Sequence, residues 1–378
     1  MNNKQNNNEL VIDAFDGKIA DYERAMKEFG IEPIQQIPVL GKLSPEQIHK
    51  YIKRDIMTGH TDAEQIFQSV LNKKPFAVMS GLKPTGPYHI GSLTTCNEVI
   101  YFQELGGEVF YCIADIEGYC ANAVSLKKGM EIAIDNIADV LALGLDPDRA
   151  RIYRQSETME VLRFGAVFAN KVTYNMIKAI YGERRFGLYQ SALIQAGDIL
   201  LPQLEEYGGP RPTVTPIGFD QAPHARLTRD LVRKQEFQDD YGFVKPSFTF
   251  HILIQGIDGS EKMSKRNEMS LFTLNEDSKS VKRKIMNAFT GGRNTAEEQR
   301  QLGGQPEVCR IFDLYKFFFI EKEKDFKERK RLCTSGEILC GACKKHCLEL
   351  VKEFLRNHQE IKKSKFDLAR ELVIKGTP

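Results

Sequence analysis

Short β-rich apolar runs alternate with longer amphipathic stretches through the middle of the chain, and the alternation stops near residue 270. Phe76 to Ser80 has strand character and leads into a turn carrying Pro84, Gly86 and Pro87, which cannot stay helical. A helix is predicted from about His89 to Leu105, a buried strand from Val109 to Ala114, and an amphipathic helix from Leu126 to Leu143 that Gly144 can end. Ile152 to Gln155 and Val214 to Ile217 read as two further strands. Strand alternating with helix predicts an α/β domain with a doubly wound parallel sheet, spanning about 76–270.

Beyond that point helical periods of mixed charge, such as EKEKDFKERKR and LELVKEFLRNHQE, predict a separate all-helical unit over 271–378. Its last helix is expected to fold back on the α/β unit. Residues 11–75 form an N-terminal extension with a helix-like stretch from Tyr22 to Phe29 and no chemistry that the sequence assigns. The opening MNNKQNNN is polar, unlike a secretory or transit segment, and is expected to be a disordered tail over 1–10.

Composition narrows the classes. A chain of 378 residues suits more than one structural unit, and no apolar run approaches the ~18 residues of a membrane span, so no membrane partner is expected. Eight cysteines without a secretion signal point to a reducing compartment, the cytoplasm by default, where thiols stay free or bind metal. A net charge of +2 is not that of a protein coated for nucleic acid, so a polyanion must be met by a local patch.

Two segments carry phosphate chemistry. In PFAVMSGLKPTGPYHIGSL, residues 75 to 93, a strand delivers the chain into a Pro/Gly turn and a helix restarts, so backbone N–H groups face the strand's carboxyl edge. Glycines there admit a nucleotide closely, and His89 can donate to phosphate oxygens. The alternative is a plain strand–turn–helix with a surface histidine. In GSEKMSKRNE, residues 259 to 268, Lys262 and Lys265 bracket a serine on a polar loop that can grip pyrophosphate and release it; a solvated basic loop is the alternative.

HIGS at 89–92 and KMSKR at 262–266 resemble, in the right order, the two signatures of class I aminoacyl-tRNA synthetases. Gly218-Phe219-Asp220-Gln221 and the following PHARLTRD, then AFTGGRNTAEEQRQLGG at 288–304 and CTSGEILCGACKK at 333–345, resemble the tryptophanyl-tRNA synthetase family, from about residue 50 to the end. GLKPTGPYHIG, IADIEGY and LIQAGDILLPQL are most similar to its archaeal-type branch.

The resemblance implies a Rossmann-like catalytic domain with a C-terminal helical anticodon-binding domain. It also implies ATP with Mg, L-tryptophan and tRNA as ligands, and a homodimer. By the same resemblance Lys83, Thr85, His89, Gly91, Ser92, Gly218, Asp220, Lys262 and Met263 would hold ATP, with His89, Lys262, Ser264 and Lys265 catalytic. Met79, Cys112, Glu117, Gln195 and Gln221 would line the amino-acid pocket, while Gln195 as a helix cap and Asp220 as a helix starter are the structural alternatives. Arg293, Lys362 and Lys363 are candidate tRNA contacts, each with solvated surface as its alternative.

This chain departs from the family pattern in four places. Ser92 ends the first signature in place of histidine, and Arg266 ends the second in place of serine. Met79 and Cys112 stand where eukaryotic members use a tyrosine and a glutamine to hold the indole N–H, and both are weak acceptors. Glu117, at a strand's carboxyl edge, is the expected replacement, unless it pairs with a nearby cation.

Cys309, Cys333, Cys340 and Cys343 form C-x23-C-x6-C-x2-C, a set that suits zinc or an iron–sulfur cluster, with buried apolar thiols as the alternative. The spacing is similar to that of bacterial tryptophanyl-tRNA synthetases that carry a [4Fe–4S] cluster, with one extra residue in the long spacer.

Three rival readings remain at this level. Tyrosyl-tRNA synthetase shares the fold, a metabolite adenylyltransferase would not need the helical unit, and a paralogue with altered amino-acid specificity or lost charging would keep the fold as a binding or regulatory module.

Overall fold

The computed structural model describes residues 12–15, 18–19 and 21–377, so the tail expected over 1–10 lies outside it. A small hairpin pairs β1 (Ile12–Asp13) with β2 (Lys18–Ile19). The main sheet is built from β3 (Glu32–Pro33), β4 (Met57–Thr61), β5 (Ala77–Leu82), β6 (Glu108–Ile113), β7 (Ala150–Arg154), β8 (Thr213–Gly218) and β9 (Ser247–His251). Its order is β3-β4-β9-β8-β5-β6-β7. The strands from β9 to β7 run parallel, and β3 and β4 add an antiparallel edge.

That order is the doubly wound arrangement. From β5 the chain steps outward to β6 and β7, then returns to place β8 and β9 on the other side of β5. Connections leave in opposite directions at the β5/β8 boundary, and the crevice at the carboxyl ends of those strands is where such sheets bind ligands.

All four sequence-read strands are present, within a few residues of their expected limits. β9 was not read, although its Ser-Phe-Thr-Phe-His alternation has a clear cause. Phe248 and Phe250 pack with Phe219 and Ala25 on one face, while Thr249 and His251 turn toward Glu98 and Thr95 on the other. β3 and β4 were also missed, and they build part of the expected N-terminal extension into the main sheet.

The helix Leu126–Leu143 has the expected limits, with the Ser125 hydroxyl accepting from the Lys128 N–H and Gly144 closing it at φ 116°. The helix expected from His89 instead begins at Leu93, after a tight turn over Ile90–Ser92. His89 is held extended because Ile90 N–H donates to the Phe272 carbonyl at 3.0 Å and His89 bridges to Thr273.

No strand follows β9 among the described residues, and the chain continues as helices that end in Cys340–Lys375. This last helix lies along Leu126–Leu143. His358 Nε2 stands 2.7 Å from Asp139 Oδ1, and Lys362 Nζ stands 2.9 Å from Asp139 Oδ2 and 2.7 Å from Asp135 Oδ1. Beyond it Thr377 N–H donates to the Ile152 carbonyl of β7 at 3.0 Å, so the helix does fold back on the α/β unit. Lys362 was expected to contact tRNA; it is buried as an internal strut, because the neighbouring helix offers it two carboxylates. No helix among the described residues is long and apolar enough to cross a membrane.

Candidate active site

The two signature segments meet at the crevice. Lys265 Nζ lies 3.4 Å from Thr85 Oγ1, and a Cβ on Gly86 would stand 3.2 Å from that ammonium. A Cβ on Gly91 would stand 3.0 Å from Met263 Sδ and 3.2 Å from the His89 ring, so the bare glycine lets the loop and the histidine share one surface. Serine hydroxyls fix the loop's shape. Ser264 N–H donates to Ser270 Oγ at 2.9 Å, and Ser270 Oγ donates back to the Ser264 carbonyl at 3.0 Å.

Burial, with Lys265 nearby, lowers the half-buried His89 imidazole to about 4, so at neutral pH it offers a neutral N–H rather than a cation. Burial and the Lys83 charge also hold the Lys265 ammonium below its usual value. Ser92 makes no capping bond with its side chain, and Arg266 is exposed at the loop's tip.

A cavity of about 260 Å³ opens between β5 and β8, with Lys83 and Thr95 on either side of the first signature segment in its wall. The expected residues Lys83, Met79, Cys112, Glu117, Gln195, Gly218 and Gln221 all line it. Glu117, however, spends its carboxylate on Lys83, with Oε1 to Nζ at 3.0 Å, so it is the ion pair and not an uncommitted acceptor.

The acceptor at the floor is Asp198, which the sequence reading did not single out. It is 1% exposed and gathers three donors: Tyr153 Oη at 2.9 Å, Gln155 Nε2 at 2.5 Å and the Cys112 thiol at 3.4 Å. All three are neutral, so burial dominates and pushes the carboxyl up to about 7 despite them. Burial also raises the Cys112 thiol, which therefore serves as a donor to Asp198.

The N-terminal hairpin closes one side. Ala14 lines the cavity, and Gln221 Nε2 donates to both the Ala14 carbonyl at 3.2 Å and Asp220 Oδ2 at 2.9 Å. Phe15 packs at a tilt against Tyr181 and meets the edge of His224, and Arg184 pairs with Asp13. Two-residue strands carry no readable period, so this segment has no role legible from its residues alone. Burial pushes Asp220 up, opposed by Gln221, His251 and Lys262.

Away from this site, Cys309, Cys333, Cys340 and Cys343 line one small cavity in the helical part. Burial pushes the Cys309 thiol up, and the N–H groups of Gly291, Phe312 and Ile311 offset this only in part. Glycines crowd two other sulfurs: a Cβ on Gly292 would stand 2.9 Å from Cys340 Sγ, and one on Gly304 2.9 Å from Cys333 Sγ. Among the described residues no group of three or more His, Cys, Asp or Glu side chains stands close enough to hold a single metal ion, which opposes zinc. The shared cavity measures only about 10 Å³, so the thiols as placed pack as buried side chains and leave no room for a cluster. Of the other two expected tRNA contacts, half-buried Arg293 spends Nε on the Gly303 carbonyl at 2.9 Å, and Lys363 is exposed.

Known proteins agree with this geometry. Residues 71–356 match the family described as tRNA synthetases class I (W and Y). The tryptophan–tRNA ligase of Methanocaldococcus jannaschii is 37% identical over 363 residues, covering 94% of this chain and 95% of the relative. The crystal structure of tryptophanyl-tRNA synthetase from Aeropyrum pernix K1 superposes with a TM-score of 0.87 at 36% identity, covering 96% of this chain and 98% of that one. Plasmodium falciparum tryptophanyl-tRNA synthetase superposes at 0.82 with 25% identity, covering 94% and 97% of the two chains. The chain therefore belongs to the class I tRNA synthetases of the tryptophan and tyrosine type.

Proposed function

We propose that this chain ligates L-tryptophan to its tRNA through an aminoacyl-adenylate. The observation that carries the reading is a cavity walled by Asp198 and Lys83, with Thr85, two positions beyond Lys83, meeting Lys265 of the second signature. The amino-acid carboxylate attacks the α-phosphorus of ATP, which enters as its magnesium complex, and pyrophosphate leaves. The nucleophile is already ionised, so no general base is needed. His89 donates a neutral N–H, while Lys262 and Lys265 supply positive charge as the loop closes on the phosphates. A ribose hydroxyl of the terminal tRNA adenosine then attacks the adenylate carbonyl and AMP leaves.

Asp198 is the group that reads the indole N–H. Met79 and Cys112 are weak acceptors, and Glu117 is occupied by Lys83, which leaves Asp198 as the carboxylate facing the inner end of the cavity. Tyrosine would present a hydroxyl that also needs an acceptor, so the test runs both amino acids. Amino-acid-dependent ATP–pyrophosphate exchange is expected with tryptophan and not with tyrosine. Exchange with tyrosine alone overturns the specificity, and none with either overturns the enzyme in favour of a paralogue that has lost charging.

On the spacing of the four cysteines alone, an iron–sulfur cluster is proposed here, for which the segments around 291, 309, 333 and 340 must move apart from their present packing. Anaerobically purified protein is expected to absorb near 400 nm and to contain iron; zinc, or no metal, overturns this. The exposed Tyr119, Met159, Tyr174, Met176 and Phe186 support a homodimer, testable by sedimentation. All eight cysteines are free of disulfides, which supports a reducing compartment, the cytoplasm.

A further inference from the structure

Beneath the nucleotide end of the cavity lies a buried pair that the adenylation chemistry does not use. Glu98 sits on the helix Leu93–Glu104 that the first signature opens, and it is 0% exposed. His251 ends β9 and is 4% exposed. Its Nδ1 stands 3.2 Å from Glu98 Oε1, and its Nε2 stands 3.5 Å from Thr95 Oγ1, one helical turn before Glu98. Glu98 is steadied from the sheet by the Thr249 hydroxyl at 3.5 Å.

The imidazole also faces the opposite wall. Gly218 is the register partner of His251 in the parallel β8/β9 pair. A Cβ on Gly218 would lie 3.5 Å from His251 Nε2 and 2.5 Å from Asp220 Oδ1, so only a bare glycine separates the ring edge from that carboxylate. Thr95 and Gly218 both line the cavity, whereas Glu98 and His251 lie behind it.

We infer that His251, oriented by Glu98, is a positioning residue for ATP: through Thr95 and Asp220 it fixes the first turn of the signature helix against the carboxyl edge of β8. Glu98 Oε1 occupies the Nδ1 side of the ring as a 3.2 Å contact without hydrogen-bond geometry, which leaves Nε2 toward the Thr95 oxygen and Gly218. The 3.5 Å contact of Nε2 with Oγ1 holds the Thr95 hydroxyl at the cavity wall, and the imidazole tautomer sets which of the two donates. Ser92, the signature position one turn earlier, carries no ring in this chain, so the imidazole nearest that stretch of the helix comes from β9. Asp198, at the tryptophan end of the cavity, bonds to none of these side chains, its partners being Tyr153, Gln155 and Cys112.

This rests on the adenylate-forming reading, and the experiment separates the two. ATP–pyrophosphate exchange is measured for wild type, His251→Ala, His251→Gln, Thr95→Val and Glu98→Gln. Tryptophan binding is followed by its own fluorescence, since the chain contains no tryptophan. His251→Ala is expected to raise KM for ATP by about tenfold and to lower kcat while leaving the tryptophan Kd unchanged. His251→Gln, which keeps one N–H donor, should recover most of the loss. Thr95→Val keeps the shape without the hydroxyl and should reproduce the KM shift. Glu98→Gln should raise KM alone and add nothing to His251→Ala.

Wild-type exchange with unchanged ATP parameters in His251→Ala and Thr95→Val overturns the inference alone. ATP KM and tryptophan Kd shifting together, in step with a lower Tm, also overturns it by making the pair ordinary core. No exchange by wild type overturns the function and the inference with it.

Discussion

Asp198 and Asp139 are equally sealed from water, at 1% and 0% exposure, but their partners differ in kind. Asp139 meets a lysine ammonium at 2.9 Å and a histidine at 2.7 Å, and its helix is thereby bolted to the last helix of the chain. Asp198 has only a phenol, an amide and a thiol, and it borders a cavity. A carboxylate paired with an ammonium and an imidazole is a finished structural contact. One held by neutral donors at a cavity wall keeps acceptor capacity for a ligand, and its upward pKa shift records the cost of holding it there.

The largest effect expected from this contrast falls on stability. Lys362→Met would leave Asp139 Oδ2 and Asp135 without their ammonium, at a cost of about 3–5 kcal/mol. A denaturant melt should show it, with tryptophan affinity unchanged. An unaltered midpoint would return Lys362 to the surface role that its place in a basic pair first suggested.

That misplacement shows where the sequence was legible. Phosphate chemistry needs contiguous donors on one turn or loop, so HIGS and KMSKR stand out as short strings, and the thiol set stands out by spacing. Lys362 and Lys363 are adjacent in sequence, yet a helix points them about 100° apart, one into a seam and one into water. Asp198 lies within LIQAGDILLPQL, where one carboxylate interrupts a buried apolar run. The cost of burying it was the available signal, since such a group persists in a core only with partners. Its partners Tyr153 and Gln155 come from β7 and the turn after it, more than 40 positions away, so no local pattern could supply them. The Ala14 wall was illegible for a similar reason: it acts through a backbone carbonyl, which any residue has.

Asp198→Ala should act in the opposite sense to Lys362→Met. The bound indole N–H would be left without an acceptor, costing about 2–3 kcal/mol, or roughly 30- to 150-fold in tryptophan Kd. Stability should fall little, because the carboxyl's desolvation cost disappears along with its hydrogen bonds. A fluorescence titration giving a wild-type Kd would remove Asp198 from the reading of indole.

The same carboxyl makes tryptophan binding depend on pH. Its value in the free protein is about 7, and accepting an N–H favours the ionised form, so the value in the complex is lower. Binding therefore takes place with Asp198 ionised and weakens as pH falls through the free-protein value. Between pH 8 and pH 6 the tryptophan Kd is expected to rise by about tenfold, and Asp198→Asn should abolish that slope. A flat profile in wild type would mean that the acceptor is neutral at both ends.

The smallest effect belongs to Lys363, the cation of the pair that does reach water. It borders a groove that also carries Glu349, Glu353, Glu360, Glu276 and Asp277, so its charge is met by several carboxylates before any phosphate arrives. An exposed cation in such surroundings contributes at most about 1 kcal/mol, and a phosphate contact would add roughly one unit to the salt slope of tRNA binding. Lys363→Ala is therefore expected to change KM for tRNA by less than about threefold at moderate salt and to leave the slope nearly untouched. A loss of tenfold or more with a shallower slope would establish a direct phosphate contact and make this acidic groove an RNA-facing surface after all.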